Sequence, residues 1–303
     1  MMKLLPVMDL YQIKLQKYRT LNNNITYPVL LVNEKYILKR VPSEIVVNEV
    51  LFSSLIKKKW INNIVLNKYD RIFTYYDSCF WLMTTYIKGE EFQHSDDSHL
   101  NSARGYLKKF IEISPNVGEI EFHDNFSICK WYQNPDEMIE KTFQLIDYYY
   151  GKVDIHYSKR IMDIYNTLEF DKNEYKKMEK SVSHGEYQNT NILFDKNQIN
   201  LIDWDSLSVR PHIFDIVSSA CYLCRDKRGD FIINTEKLKQ YLDQENLLNE
   251  EMNNLRNMVF LTFIPKEDKL EKFYLAGHDQ IKWYLEWTLE AMEKCVKYFQ
   301  KQC

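Results

Sequence analysis

The chain has 303 residues, with 40 Lys and Arg against 43 Asp and Glu and a formal net charge of −3. That length supplies core for one large domain or two lobes. Charges of both signs are interspersed, so the clustered basic face of a nucleic-acid binder is absent, and no apolar run reaches membrane length.

The N-terminus carries one lysine, a short apolar stretch and then Asp9, which does not read as a signal peptide. The expectation is a soluble, cytoplasmic protein with reduced thiols. Of six cysteines, Cys221 and Cys224 form a CxxC without a second pair. The sequence around them reads as a buried helix, which makes them small core residues rather than zinc or redox ligands. The 22 tyrosines and 16 phenylalanines are spread along the chain and read as core, and only 7 glycines argue against glycine-built loops.

In chain order, residues 1–41 read as β. A weak strand covers 15–19, Asn22-Asn23-Asn24 is a turn, and two β-rich runs at 27–32 and 35–41 are split by Asn33-Glu34, a tight hairpin turn. No GxGxxG lies between these strands. Asparagine tolerates the left-handed region and can partly replace glycine in the turn. Lys39 sits among aliphatics in the second run, with Arg40 on the other face.

Pro42-Ser43 opens a helix with Ser43 as N-cap. Val47, Val50, Leu51, Ser54 and Leu55 form its apolar stripe, and the helix also carries Glu49, away from the stripe, and Glu44, nearer it. Strands are expected at 64–67, 72–76 and 80–86, with Asp77-Ser78 turning between the last two, so a five-stranded sheet with one helix is complete before Gly89.

From Glu90 the pattern is mainly helical. Asp97-Ser98 caps a helix through Ile113, with Leu100, Ala103, Leu107 and Phe110 inward. Residues 114–130 read as irregular, with Phe126 inside and Trp131 just after. Further helices are expected at 136–150, 157–169, 171–182, 213–225, 235–246, 249–264 and 277–300. Trp283, Tyr284 and Trp287 stripe the last one as core.

The most informative stretch is 184–205. It runs His184-Gly185-Glu186-Tyr187-Gln188-Asn189-Thr190-Asn191, then two apolar runs around a polar turn at 195–198, then Asp203-Trp204-Asp205. Apolar strand, polar turn, apolar strand is a hairpin. Its ends meet, so Asn191 and Asp203 should lie side by side with Glu186 nearby. Oxygen ligands in that pattern suit Mg²⁺, which keeps room for substrate phosphates. The order is that of a kinase catalytic loop, in which an acid orients and deprotonates a hydroxyl and an Asn and a downstream Asp hold metal. Imidazole is a poor Mg²⁺ ligand, so His184 reads as a brace for the loop.

These residues resemble the aminoglycoside phosphotransferase and choline kinase superfamily. Its catalytic loop is His-Gly-Asp with Asn five residues after the Asp, followed by an Ile-Asp-Trp/Phe-Asp/Glu sequence. Ile202-Asp203-Trp204-Asp205 fits that sequence, and Glu186 departs from the family by replacing the catalytic Asp. Residues 86–92, Tyr-Ile-Lys-Gly-Glu-Glu-Phe, look most like the bacterial spore-coat kinase-like subgroup.

The resemblance implies an α+β, bilobal protein-kinase-like fold. A small antiparallel sheet lobe with one helix would span 1–88 and a larger, mainly helical lobe 89–303. It implies γ-phosphoryl transfer from Mg-ATP to the hydroxyl of a small-molecule acceptor, without nucleic acid or membrane. Glu186 would be the catalytic base. Asn191 and Asp203 would hold metal with Asp205 as an auxiliary acid, and Asp215 would brace the catalytic loop from a helix. Lys39 would reach the nucleotide phosphates, paired with Glu49 or, as runner-up, Glu44. Thr84 C=O and Tyr86 N–H would hold the adenine edge.

Two other readings remain. One is an inactive nucleotide-binding or structural protein such as a spore-coat component, favoured by Glu186 and the glycine-poor loop. The other is a protein kinase, disfavoured because Asp203 to Asp215 is too short for an activation segment. Glu90, Glu91, Asp96, Asp97, Asp136 and Glu137 either line a cleft for a cationic acceptor or are solvated helix starts.

Overall fold

The structure, a computed structural model, describes residues 4–22, 26–46, 48–61, 63–113, 135–150, 156–168, 170–195, 198–229, 233–243 and 249–300. The N-terminal part is one five-stranded antiparallel sheet in the order β1-β2-β3-β5-β4. Its strands are β1 (Tyr18–Thr20), β2 (Val29–Val32), β3 (Tyr36–Val41), β4 (Phe73–Tyr76) and β5 (Cys79–Thr85).

Both expected tight hairpins form. Asn33 and Glu34 have φ of 51° and 56°, and Asp77 and Ser78 have 52° and 58°. Two successive left-handed residues give the turn whose twist matches the strands. Asn33 also fixes the incoming chain, because its Oδ1 accepts from Gln16 N and Lys17 N at 2.9 and 3.2 Å while its Nδ2 donates to Lys14 O.

The first residues are helical rather than β. Leu4–Leu10 is a helix whose Leu4, Val7 and Met8, with Tyr11 beyond it, pack on Leu30, Val32, Leu38, Trp81 and Met83 of the sheet. That spacing is the helical one, and Pro6 is tolerated because a first-turn N–H needs no partner. The expected helix after Pro42 is two pieces, Ser43–Val46 and Glu49–Lys57. Leu51, Phe52 and Leu55 are buried and Val50 is exposed. The expected strand at 64–67 reduces to one bridge, Ile64 to Thr84.

The rest is mostly helical. Asp97–Ile113 forms as expected, burying Ala103, Leu107 and Phe110. Pro135–Tyr150, His156–Thr167, Ile213–Leu223, Thr235–Asp243, Asn249–Phe263 and His278–Gln300 match expected helices. The helix Glu267–Leu275 was not anticipated. The readings placed on 114–130, Phe126 and Trp131 lie outside the described residues.

The expected helix at 171–182 stops early. Asp171 caps it by accepting from Asn173 N and Glu174 N, it ends at Lys177, and Lys180–Ser183 becomes strand β7. β7 pairs with Ser208–Pro211, β10. The central hairpin is Ile192–Asp195 (β8) and Gln198–Leu201 (β9), with Ile192 opposite Leu201, and the short strand Glu90–Glu91 (β6) pairs with β8. These two small ladders position the site: β7 delivers the chain to 184–191, the hairpin returns it to 203–205, and β10 carries it back beside β7. Among the described residues no helix is long and apolar enough to cross a membrane.

Candidate active site

The loop after β7 is fixed by buried polar groups. Asp215, on the helix Ile213–Leu223, accepts from His184 N at 2.7 Å and from Gly185 N at 3.1 Å. His184 is fully buried, and its Nδ1 accepts from Glu186 N–H at 3.3 Å. The proton is therefore on Nε2, which donates to Ile202 O at 3.1 Å. Burial lowers the His184 pKa below its usual value, so the ring stays neutral. His184 thereby ties the loop to the far end of the hairpin.

Arg210, on β10, completes the clamp. Its guanidinium donates to Gly185 O, Ser206 O and Ser208 Oγ at 3.2, 3.1 and 2.7 Å. Gly185 has φ of 80°, and a methyl group there would meet Ser206 O and come within 2.6 Å of the Arg210 guanidinium. Only glycine fits this crossing.

Asn191 and Asp203 come together as the hairpin requires. Ile202 N donates to Asn191 O at 2.9 Å, and both side chains line one cavity of about 610 Å³ with Lys39, Glu186 and Asp205. Asn191 Nδ2 donates to Glu186 O at 2.9 Å, and its Oδ1, which accepts from Thr190 Oγ1 at 3.3 Å, keeps a second lone pair for a cation. Asp203 is in the left-handed region, φ 62°.

Lys39 is buried and bonds Asp203 Oδ1 at 2.9 Å and Asp205 Oδ1. Burial alone would lower its pKa, but the two carboxylates outweigh it and hold the ammonium charged, above its usual value. Lys39 in turn holds Asp203 below the usual carboxylate range. Burial, with Asp203 alongside, pushes Asp205 up. The same cavity has an apolar lining, Val29 and Ile37 from the sheet and Leu193 and Ile202 from the hairpin.

Two expected contacts are not formed. Glu49 turns away from Lys39 towards Arg71 Nη1 at 3.9 Å and Ile72 N at 3.4 Å. Its place off the apolar stripe explains this, and the Glu44 side chain lies outside the described residues. Thr84 lines the cavity, but Tyr86 N–H, expected to meet adenine, donates to Lys35 O at 2.7 Å. Asn48 was not anticipated. It is fully buried on the helix side, and its Nδ2 donates to Leu207 O at 2.8 Å, joining that element to the Asp-Trp-Asp segment.

Glu186 also lines a second cavity of about 460 Å³. Glu90, Glu91, Asp96 and Asp97 line neither cavity. Glu91 pairs with Arg228, Asp97 lies 3.8 Å from Lys237, and Asp96 caps Ser98. Glu137 is exposed, and the Asp136 side chain lies outside the described residues.

No protein-family model and no curated protein matches the sequence. Solved structures match along nearly its whole length. An aminoglycoside phosphotransferase from Alicyclobacillus acidocaldarius is 11% identical over 97% of this chain and 94% of its own, with a TM-score of 0.63. The chain has the kinase-like fold of the aminoglycoside phosphotransferases and choline kinases. Spectinomycin phosphotransferase in complex with ADP and spectinomycin is 11% identical over 96% of this chain and 98% of its own, TM-score 0.59. Choline kinase from Cryptosporidium parvum is 14% identical over 94% and 88%, TM-score 0.55. The first cavity is lined by sheet residues Val29, Ile37, Lys39 and Leu82 together with Glu186 and Asn191 of the clamped loop and Lys269 of the helical part.

Proposed function

We propose that the protein is an ATP-dependent phosphotransferase of two lobes, 1–88 and 89–303, that moves the γ-phosphate of Mg-ATP to a hydroxyl of a small molecule. The observation that carries this is the convergence of Lys39, Asn191, Asp203 and Asp205 on one cavity that Glu186 joins to a second. Similar folds were solved with GDP, ADP and ATP, which supports a nucleotide in the first cavity.

The base would lie in the slot of Val29, Ile37, Leu193 and Ile202, beside Thr84. Lys39 would share its charge between the acids and the nucleotide phosphates. The donor set of Asn191 Oδ1 and the Asp203 and Asp205 carboxylates is all oxygen and fits Mg²⁺. When bound there, Mg²⁺ neutralises negative charge on the phosphates.

Glu186 orients the acceptor hydroxyl and takes its proton. The hydroxyl oxygen forms the new bond to the γ-phosphorus, the bond from that phosphorus to the β–γ bridging oxygen breaks, and ADP leaves. Lys266 Nζ lies 4.0 Å from Glu186 Oε1, bringing positive charge to the point of transfer. Catalysis of this kind is positioning and charge stabilisation, so the Asp215 and Arg210 clamps belong to it as positioning residues.

Calorimetry with ATP, with and without Mg²⁺, tests the site. Metal-dependent binding that Asp203→Ala abolishes is expected. No binding, or binding indifferent to metal, contradicts the reading.

A further inference from the structure

The second cavity has a lining unlike that expected for a cationic acceptor. Arg225, Arg228, Lys266, Lys269 and Lys272 all contribute to it, and among the described residues Glu186 is the one acid in its lining. Lys266 and Lys269 lie near the point of transfer, since Lys266 approaches Glu186 and Lys269 also lines the nucleotide cavity. Lys272 and Arg228 line only the second cavity, Arg228 sharing its charge with Glu91 at 3.2 Å and Lys272 standing as the main anion contact.

The lining is also aromatic. Phe273 stacks on Tyr284 with ring centroids 4.5 Å apart, and Trp283, half exposed, lies 6.0 Å from Phe273. Deeper in, the buried Arg225 guanidinium sits 5.2 Å from the Trp287 ring and 5.3 Å from Tyr222. A choline-type cation is recognised by aromatic faces without competing cations. Here the Arg225 guanidinium already lies against Tyr222 and Trp287, and a second positive charge would be repelled. An anionic group is attracted by the same residues, while a flat ring stacks on the aromatic wall.

We infer that the acceptor is an anionic hydroxyl compound with a flat ring, its phosphate or carboxylate directed at Lys272 and Arg228 and its ring against Phe273, Tyr284 and Trp283. This rests on the phosphotransferase reading, with the hydroxyl at Glu186.

The test uses the full chain saturated with Mg-ADP and three probes with one ring: phenyl phosphate, benzoate and benzyltrimethylammonium. Binding is followed by calorimetry and tryptophan fluorescence. At least one anion is expected to bind, the tighter one naming the anionic group, and the cation to bind at least tenfold more weakly than it, about 1.4 kcal/mol. Lys272→Glu, at an exposed position, should weaken the anion by about threefold to tenfold. Trp283→Ala should weaken both the anion and its fluorescence response. Equal or tighter binding of the cation, failure of both anions, or anion affinity indifferent to Lys272→Glu overturns the inference. A separate Mg-ATP titration reports on the nucleotide site, so failure of the phosphotransferase reading is distinguishable from failure of this one.

Discussion

Asp215→Asn is the most direct probe of how the fold holds the catalytic loop. The carboxylate is buried and accepts from His184 N at 2.7 Å and Gly185 N at 3.1 Å. Hydrogen bonds to a buried charge are worth about 1.5–3 kcal/mol each. An amide keeps one acceptor oxygen and turns an NH₂ towards the other N–H, so one bond is lost and two donors face each other. A loss of about 3 kcal/mol follows, which lowers Tm by about 5 °C in a chain of this size. The loop also carries Glu186, and a displacement of about 1 Å at a reacting group can cost about 100-fold in rate. Differential scanning calorimetry reads the first effect and ATP turnover the second. A variant with unchanged Tm and unchanged turnover would refute the bracing role.

Two further outcomes follow from the same geometry. Glu49→Ala should change Mg-ATP affinity by less than about twofold, because Glu49 meets exposed Arg71 rather than Lys39; a loss of tenfold or more in a binding titration would mean that Glu49 turns to Lys39 when nucleotide binds. Lys39 holds the Asp203 pKa below its unfolded value. The stability this confers is complete above the unfolded carboxylate value of about 3.9 and is lost as pH falls through the lower folded value. Asp203→Asn should therefore flatten the acid limb of stability below about pH 4, measured by urea unfolding, and an unchanged limb contradicts it. Asp205 has the opposite sign, its pKa being raised, so it titrates above that window.

The site was legible where chemistry is local. Glu186, Asn191 and Asp203 are tied by a short hairpin whose period and polar turn are visible in one stretch, and Asp215 follows on the next helix. Lys39 was singled out through the family resemblance and the downstream loop, since one lysine on an apolar strand is ordinary by itself. Features set by non-local pairing were not. β7 reads as a continuation of a helix until its partner β10, far downstream, is known. Tyr86 N–H depends on the β3–β5 register, which sets Lys35 opposite it. Arg210 has no sequence signature, since it joins Gly185 of the catalytic loop to Ser206 and Ser208 just before itself, a meeting that the β7–β10 pairing sets. The second cavity draws on the catalytic loop, residues 214–229, 262–273 and the last helix, so no single motif encodes it. One signal was present. Lys266, Lys269 and Lys272 recur every three residues, which places them along one side of a helix.

The central claim is that Glu186 is a base for phosphoryl transfer, and steady-state ATP turnover with a panel of anionic, neutral and cationic hydroxyl compounds tests it most directly. Wild type should turn over with at least one acceptor. Glu186→Gln should lose about 10²–10⁴-fold in rate with ATP affinity unchanged, while Glu186→Asp retains activity. A Glu186→Gln variant as fast as wild type contradicts the role, and ATP binding without turnover in both wild type and Glu186→Asp contradicts the enzyme in favour of a nucleotide-binding scaffold.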